Sequence, residues 1–107
     1  MAAVTFSPQG RQDLFDILTA MNNIAGVRTA RSYEVQFQAA AIRFSETSGI
    51  GALRAEFGPN TRIWTVEPYV IFYDGEPKGE AVTVLRILHG RRKISEAMIA
   101  DGRKPAA

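Results

Sequence analysis

The fold is decided by Thr61-Arg62-Ile63-Trp64-Thr65-Val66-Glu67-Pro68-Tyr69-Val70-Ile71-Phe72-Tyr73-Asp74 and, after a loop, by Ala81-Val82-Thr83-Val84-Leu85-Arg86-Ile87-Leu88-His89. β-Branched and aromatic residues dominate both stretches, which predicts three strands over 61–66, 69–74 and 81–89. Glu67-Pro68 leaves room only for a tight turn, and Gly75-Glu76-Pro77-Lys78-Gly79 is a loop. Consecutive strands with such short links make an antiparallel meander. Tyr69 to Tyr73 is apolar at every position, as in a central strand. Its second face must then be shielded by the C-terminal segment or by a partner, and is expected to stay partly open.

Working toward the N-terminus, Ile50 to Asn60 reads as a connecting loop with Gly51, Gly58 and Pro59. Before it, Ala30, Tyr33, Phe37, Ala41 and Phe44 share one helical face, and Thr47-Ser48-Gly49 stops that helix. An earlier helix carries Leu14, Ile17, Leu18 and Met21 at the same spacing. Ser7-Pro8 opens it as N-cap and first helical residue. Asn22-Asn23 and Gly26 mark the turn between the two helices. Val4-Thr5-Phe6 is a short strand, and Ile94 to Ala100 a final short helix. The expected fold is α+β: an N-terminal strand, a helical hairpin covering one sheet face, a three-stranded antiparallel meander and a short C-terminal helix. Residues 1–100 form one domain, and 101–107 a flexible tail.

The 107 residues suit a single domain, and 46% hydrophobic residues support one modest core. Cysteine is absent, which excludes disulfides and thiolate metal sites and fits a reducing compartment. The first residues lack the basic start and apolar run of a secretory leader, and no apolar stretch nears the roughly 20 residues of a membrane helix. The expected location is cytoplasmic. A net charge of +2 is too small to argue for nucleic acid and permits an acidic partner.

The pieces Tyr69-Val70-Ile71-Phe72-Tyr73 and Val82-Thr83-Val84-Leu85-Arg86-Ile87-Leu88-His89-Gly90-Arg91-Arg92 resemble the last two strands of toxins of the RelE/ParE superfamily, on the ParE side. Phe6-Ser7-Pro8-Gln9-Gly10 with Asp13-Leu14 and Ile17 is similar to that family's opening. The resemblance implies the toxin of a type II toxin–antitoxin pair, held in a hetero-oligomer by a cognate antitoxin of the ParD type or similar. On the ParE branch the target is DNA gyrase. On the RelE branch the activity is ribosome-dependent cleavage of messenger RNA. Neither branch implies a cofactor, metal or membrane, and direct contact with nucleic acid belongs only to the ribonuclease alternative.

A metal-independent ribonuclease needs several cations and a proton-transfer group around one phosphate. Carried over from Tyr69, the RelE-type lysine positions fall on Thr61 and Ile63, and the arginine after the anchoring tyrosine on Val70. The tail tyrosine falls near Met98, and only the post-strand arginine is matched, by Arg91 or Arg92. A one-residue slip adds Arg62, so the alternative catalytic set is Arg62, His89 and Arg92. His89 has the ring chemistry for acid–base work but also reads as a strand end bonded to backbone. Without the cradle, the favoured reading is a protein-binding poison.

Its binding candidates are Arg62, Trp64, Tyr73, Arg86, His89, Arg91, Arg92 and Lys93, gathered on the open sheet face and the basic strand end. Trp64 and Tyr73 are read as exposed aromatics or as core. Arg86, inside an apolar strand, is placed opposite Leu85 and Ile87 as a structural ion pair or an antitoxin contact. Asp13 and Asp16 are read as the solvated face of the first helix, and Gly49-Ile50-Gly51 lacks the ending of a phosphate loop.

Overall fold

The structure, a computed structural model, describes residues 1–76 and 78–105. Pro77 of the expected loop, and Ala106 and Ala107 of the expected tail, lie outside the described residues. The elements run β1 (Ala3–Phe6), α1 (Pro8–Ala25), α2 (Val27–Glu46), β2 (Ala52–Leu53), a 3-10 turn (Ala55–Phe57), β3 (Thr61–Val66), β4 (Tyr69–Gly75), β5 (Ala81–His89) and α3 (Glu96–Asp101). The sheet order is β1-β5-β4-β3-β2, with β4 in the middle. The meander β3–β4–β5 is antiparallel throughout, and β1 pairs with β5 in parallel.

Local chemistry sets the helix ends. The Ser7 side chain accepts from the Gly10 N–H, and Pro8 follows as the first helical residue. The helix continues through Asn22-Asn23 and breaks only at Gly26, whose φ of 93° L side chains rarely adopt. Gly10 answers a close approach. A Cβ there would lie 2.7 Å from the Val84 carbonyl oxygen, so its absence lets α1 rest on β5.

The helical hairpin covers one sheet face. Phe37, Ala40 and Phe44 of α2 pack with Val66, Ile71, Tyr73, Val82, Val84 and Ile87. The expectation of an open second face is overturned. A separate core of Phe72, Leu85, Leu88 and Ile99 lies there, with Phe57, Ile63, Val70, Ile94 and Met98 packed around it. Leu85 and Leu88 are 1% and 3% exposed, so the chain's own C-terminal helix supplies the shield. The tail boundary expected at residue 101 falls at the last residue of α3. Beyond it, Arg103 is held by Asp74 through Nε–Oδ2 and Nη2–Oδ1 bonds, both 3.0 Å.

Two further expectations fail for identifiable reasons. The loop over 50–60 contains β2, too short to carry a periodicity, which pairs Ala52 with Ile63 and Leu53 with Arg62. Leu85 and Ile87 do not share a face. A β-bulge shifts the register so that Phe72 pairs with Arg86 and Tyr73 with Val84, and Leu85 and Ile87 enter different cores.

Asp13, read as solvated, is buried and ties the layers together. Its carboxylate accepts from Arg86 Nε at 2.7 Å, Arg86 Nη2 at 3.1 Å, the Ile87 N–H at 3.0 Å and Gln9 Nε2 at 3.0 Å. Arg86 Nη1 also donates to the Met98 carbonyl of α3 at 3.0 Å. Helical spacing cannot reveal this, because the partner lies 73 residues away. Asp13→Ala would leave Arg86 Nε and Nη2 and the Ile87 N–H without their acceptor, and the buried guanidinium without its counter-charge. The expected loss is about 3–5 kcal/mol of unfolding free energy, read from urea denaturation, with Asp16→Ala close to neutral.

Candidate partner-binding surfaces

The basic candidates sit in two distant places. Arg62 on β3 donates to the carbonyls of Gly49 at 3.2 Å and Gly51 at 2.8 Å, bracing the segment that leads into β2. It pairs with Tyr73, whereas His89 pairs with Tyr69, four residues further along β4. That offset is roughly 13 Å along the strand, with about 9.5 Å more across two strand spacings. Arg62 therefore does not share a phosphate-sized site with His89 and Arg92.

His89 ends β5 and is exposed. Its Nδ1 accepts from the Arg91 N–H at 3.1 Å, its carbonyl from the Arg92 N–H at 3.0 Å, and its ring meets Tyr69 edge-on at 5.7 Å. One ring nitrogen is thus engaged in closing the turn after the strand. Arg91, Arg92 and Lys93 follow, all exposed, and form no salt bridge among the described residues. Tyr33 stands edge-on to Tyr69 at 5.8 Å, so this end of the molecule joins aromatic rings to free cations.

Of the other candidates, Tyr73 and Arg86 are buried and Trp64 is half-buried. Tyr73 is 0% exposed and stacks on Phe44 with ring centres 4.1 Å apart. Its hydroxyl donates to the Ser48 carbonyl and accepts from the Gly51 N–H, which removes it from any binding surface. Trp64 is half-buried beneath α2, edge-on to Phe44, with the Arg43 guanidinium 5.7 Å from its ring centre. Arg86 is the buried partner of Asp13 described above, 8% exposed, and offers nothing to another molecule.

Two features escape sequence reasoning. One is the cluster of Thr61, Asp74 and Arg103, in which the Thr61 hydroxyl donates to Asp74 at 2.6 Å and accepts from Arg103 at 2.7 Å. Asp74 and Arg103 of this cluster line a cleft of about 490 Å³ with Asn60, Glu76 and Thr83. The other is a pair of cavities at Phe6. One, of about 160 Å³, lies among Leu14, Phe37 and Ala41; the other, of about 400 Å³, lies among Thr5, Thr83 and Lys104. No group of three or more His, Asp or Glu side chains able to hold a metal occurs among the described residues, and no helix there is long and apolar enough to cross a membrane.

A helical hairpin and a short C-terminal helix about this sheet is the fold of a chain solved in the "Chromosomal ParDE TA system from P. aeruginosa". That chain superposes with a TM-score of 0.67 at 20% identity, over 83% of this chain and 96% of its own length. No curated protein matches the chain in sequence. A sequence profile described as "ParE toxin of type II toxin-antitoxin system, parDE" matches residues 4–94, from β1 through the basic strand end. The chain belongs to the ParE toxin family of type II toxin–antitoxin systems.

Burial raises the pKa of Tyr73 above 10.0; the Gly51 hydrogen bond and the Arg62 charge oppose it more weakly. Burial, and then the neighbouring Tyr33, raise that of Tyr69 as well. Both phenols are kept neutral by folding, so their contribution is complete below the unfolded pKa and is lost as pH rises through the folded values. Urea midpoints should accordingly stay level to about pH 9 and fall above about pH 10, with a shallower fall in Tyr73→Phe.

Proposed function

We propose that this chain inhibits DNA gyrase by binding it, without chemistry of its own, and is held inactive in the cytoplasm by a cognate antitoxin of the ParD type in a hetero-oligomer. The observation that carries the reading is the family match over residues 4–94, which includes the strand end Arg91-Arg92-Lys93. The separation of Arg62 from His89 and Arg92 supports it against the ribonuclease alternative, which requires cations converging on one phosphate.

The second core closes the apolar part of the second sheet face, so that part offers no docking surface. Target recognition then falls to the strand end. Arg91 and Arg92 present guanidinium groups free to pair with carboxylates in bidentate fashion, and Lys93 adds a third cation. These side chains take no part in either core, so replacing them separates binding from stability.

In a supercoiling assay with purified gyrase, the chain is expected to inhibit the enzyme and accumulate cleaved DNA. Arg91→Ala/Arg92→Ala/Lys93→Ala should lose at least tenfold in potency, while unfolding within about 0.5 kcal/mol of the parent. Unimpaired supercoiling at large molar excess would sink the proposal. Primer extension showing codon-linked cuts after brief induction would install the ribonuclease reading in its place.

A further inference from the structure

We propose that His89 is a positioning residue for the basic strand end: its ring acceptor fixes the backbone of Arg91, and with it the arrangement in which the guanidinium groups of Arg91 and Arg92 meet the target. The amides that follow β5 take a defined path. The Gly90 N–H donates to the Pro68 carbonyl at 2.8 Å, the Arg91 N–H to His89 Nδ1 at 3.1 Å, and the Arg92 N–H to the His89 carbonyl at 3.0 Å. A Cβ at Gly90 would lie 3.1 Å from that Pro68 oxygen, so glycine lets the chain pass close. Of these acceptors, only Nδ1 belongs to a side chain.

The ring is itself anchored. It stands edge-on to Tyr69 at 5.7 Å, and Tyr69 stands edge-on to Tyr33 at 5.8 Å and tilts against Phe37 at 6.0 Å. Phe37 is 3% exposed and belongs to the core beneath the hairpin, so a row of rings runs from that core to the strand end. To accept from the Arg91 N–H, Nδ1 must be unprotonated, which leaves the ring proton on Nε2. A side-chain acceptor two residues before an N–H is the device by which aspartate and asparagine close turns. Here a histidine does the same with a ring that the aromatic row holds in place.

Backbone order matters because nothing else orders these cations. Arg91, Arg92 and Lys93 are exposed and form no salt bridge among the described residues. Cations on a loose chain still draw in an acidic surface, but bidentate pairing by two guanidinium groups needs them at a set spacing. Each residue left loose must be ordered at the moment of binding, and that costs affinity. Loss of the Nδ1 acceptor therefore speeds dissociation, while long-range attraction and the association rate stay as they were. This inference rests on the gyrase reading above. It assigns His89 to the arginines beside it, not to the target and not to acid–base chemistry.

Substitution of His89 in the full chain separates the two ring nitrogens. His89→Ala, His89→Asn and His89→Gln all remove the ring from Tyr69. The asparagine carbonyl restores an acceptor where Nδ1 stands, whereas the glutamine amide reaches toward the Nε2 position. In supercoiling assays and surface-binding kinetics with purified gyrase, His89→Ala and His89→Gln should lose about tenfold in potency through faster dissociation, and His89→Asn should return to within about twofold of the parent. Nuclear spin relaxation of the Arg91 and Arg92 amides in the chain alone should follow the same order, rigid in the parent and His89→Asn and mobile in the other two. Full potency in His89→Ala, with the parent inhibiting, overturns the positioning role and spares the gyrase reading. Rescue by His89→Gln but not by His89→Asn assigns Nε2 to the target and overturns it too, as does equal loss in all three variants. A parent that leaves gyrase uninhibited overturns both.

Discussion

One carboxylate holds the layers of this molecule in register. Asp13 on α1 accepts two bonds from Arg86 and one from the Ile87 N–H, at the point where β1 has ended and β5 has lost its neighbour. Arg86 in turn reaches the carbonyl of Met98 and so fixes α3. Buried ion pairs are often replaceable by apolar pairs at no cost. Here the carboxylate also satisfies a strand N–H that any hydrocarbon replacement would orphan, so the pair is not exchangeable on those terms. The hairpin, the strand edge and the C-terminal helix all depend on it.

That arrangement explains why some parts of the fold were legible in the sequence and others were not. Residues 61–66 and 81–89 could be read as strands because β-branched and aromatic residues crowd them between clear turn signals, and Ser7-Pro8 states its role within two residues. Asp13 could not be read, since an acidic residue on an amphipathic helix looks solvated until its partner in the last strand is placed beside it. The bulge at Leu85 is equally silent: strict alternation assigns Leu85 and Ile87 to one face, and one unpaired residue sends them to opposite cores.

The candidate site divides in the same way. His89, Arg91, Arg92 and Lys93 lie together because they are adjacent in sequence, and exposure follows from their position past the end of β5. Trp64, Tyr73 and Arg86 were ambiguous, because an aromatic or a lone arginine in a strand suits an interface or a core equally well. Burial decides: Tyr73 has both hydroxyl contacts filled by backbone, and Arg86 is consumed by Asp13. Arg103 reverses the pattern. A terminal stretch with glycine and proline resembles a tail, but Asp74 and Thr61 make a seat for its guanidinium.

Closing the apolar part of the second sheet face narrows how such a toxin can be held by another protein. A domain this small gains most of its stability from its two cores, so a partner that pried α3 from Leu85 and Leu88 would work against folding itself. What stays accessible without unpacking is backbone at the β1 edge, the shallow hollows beside it, and the cations past β5. These differ in kind. The edge offers hydrogen bonds that carry no sequence information, the hollows read side-chain size and polarity, and the cations attract at longer range and weaken with salt. Contacts so unlike one another can be engaged by different parts of one partner, or by different partners.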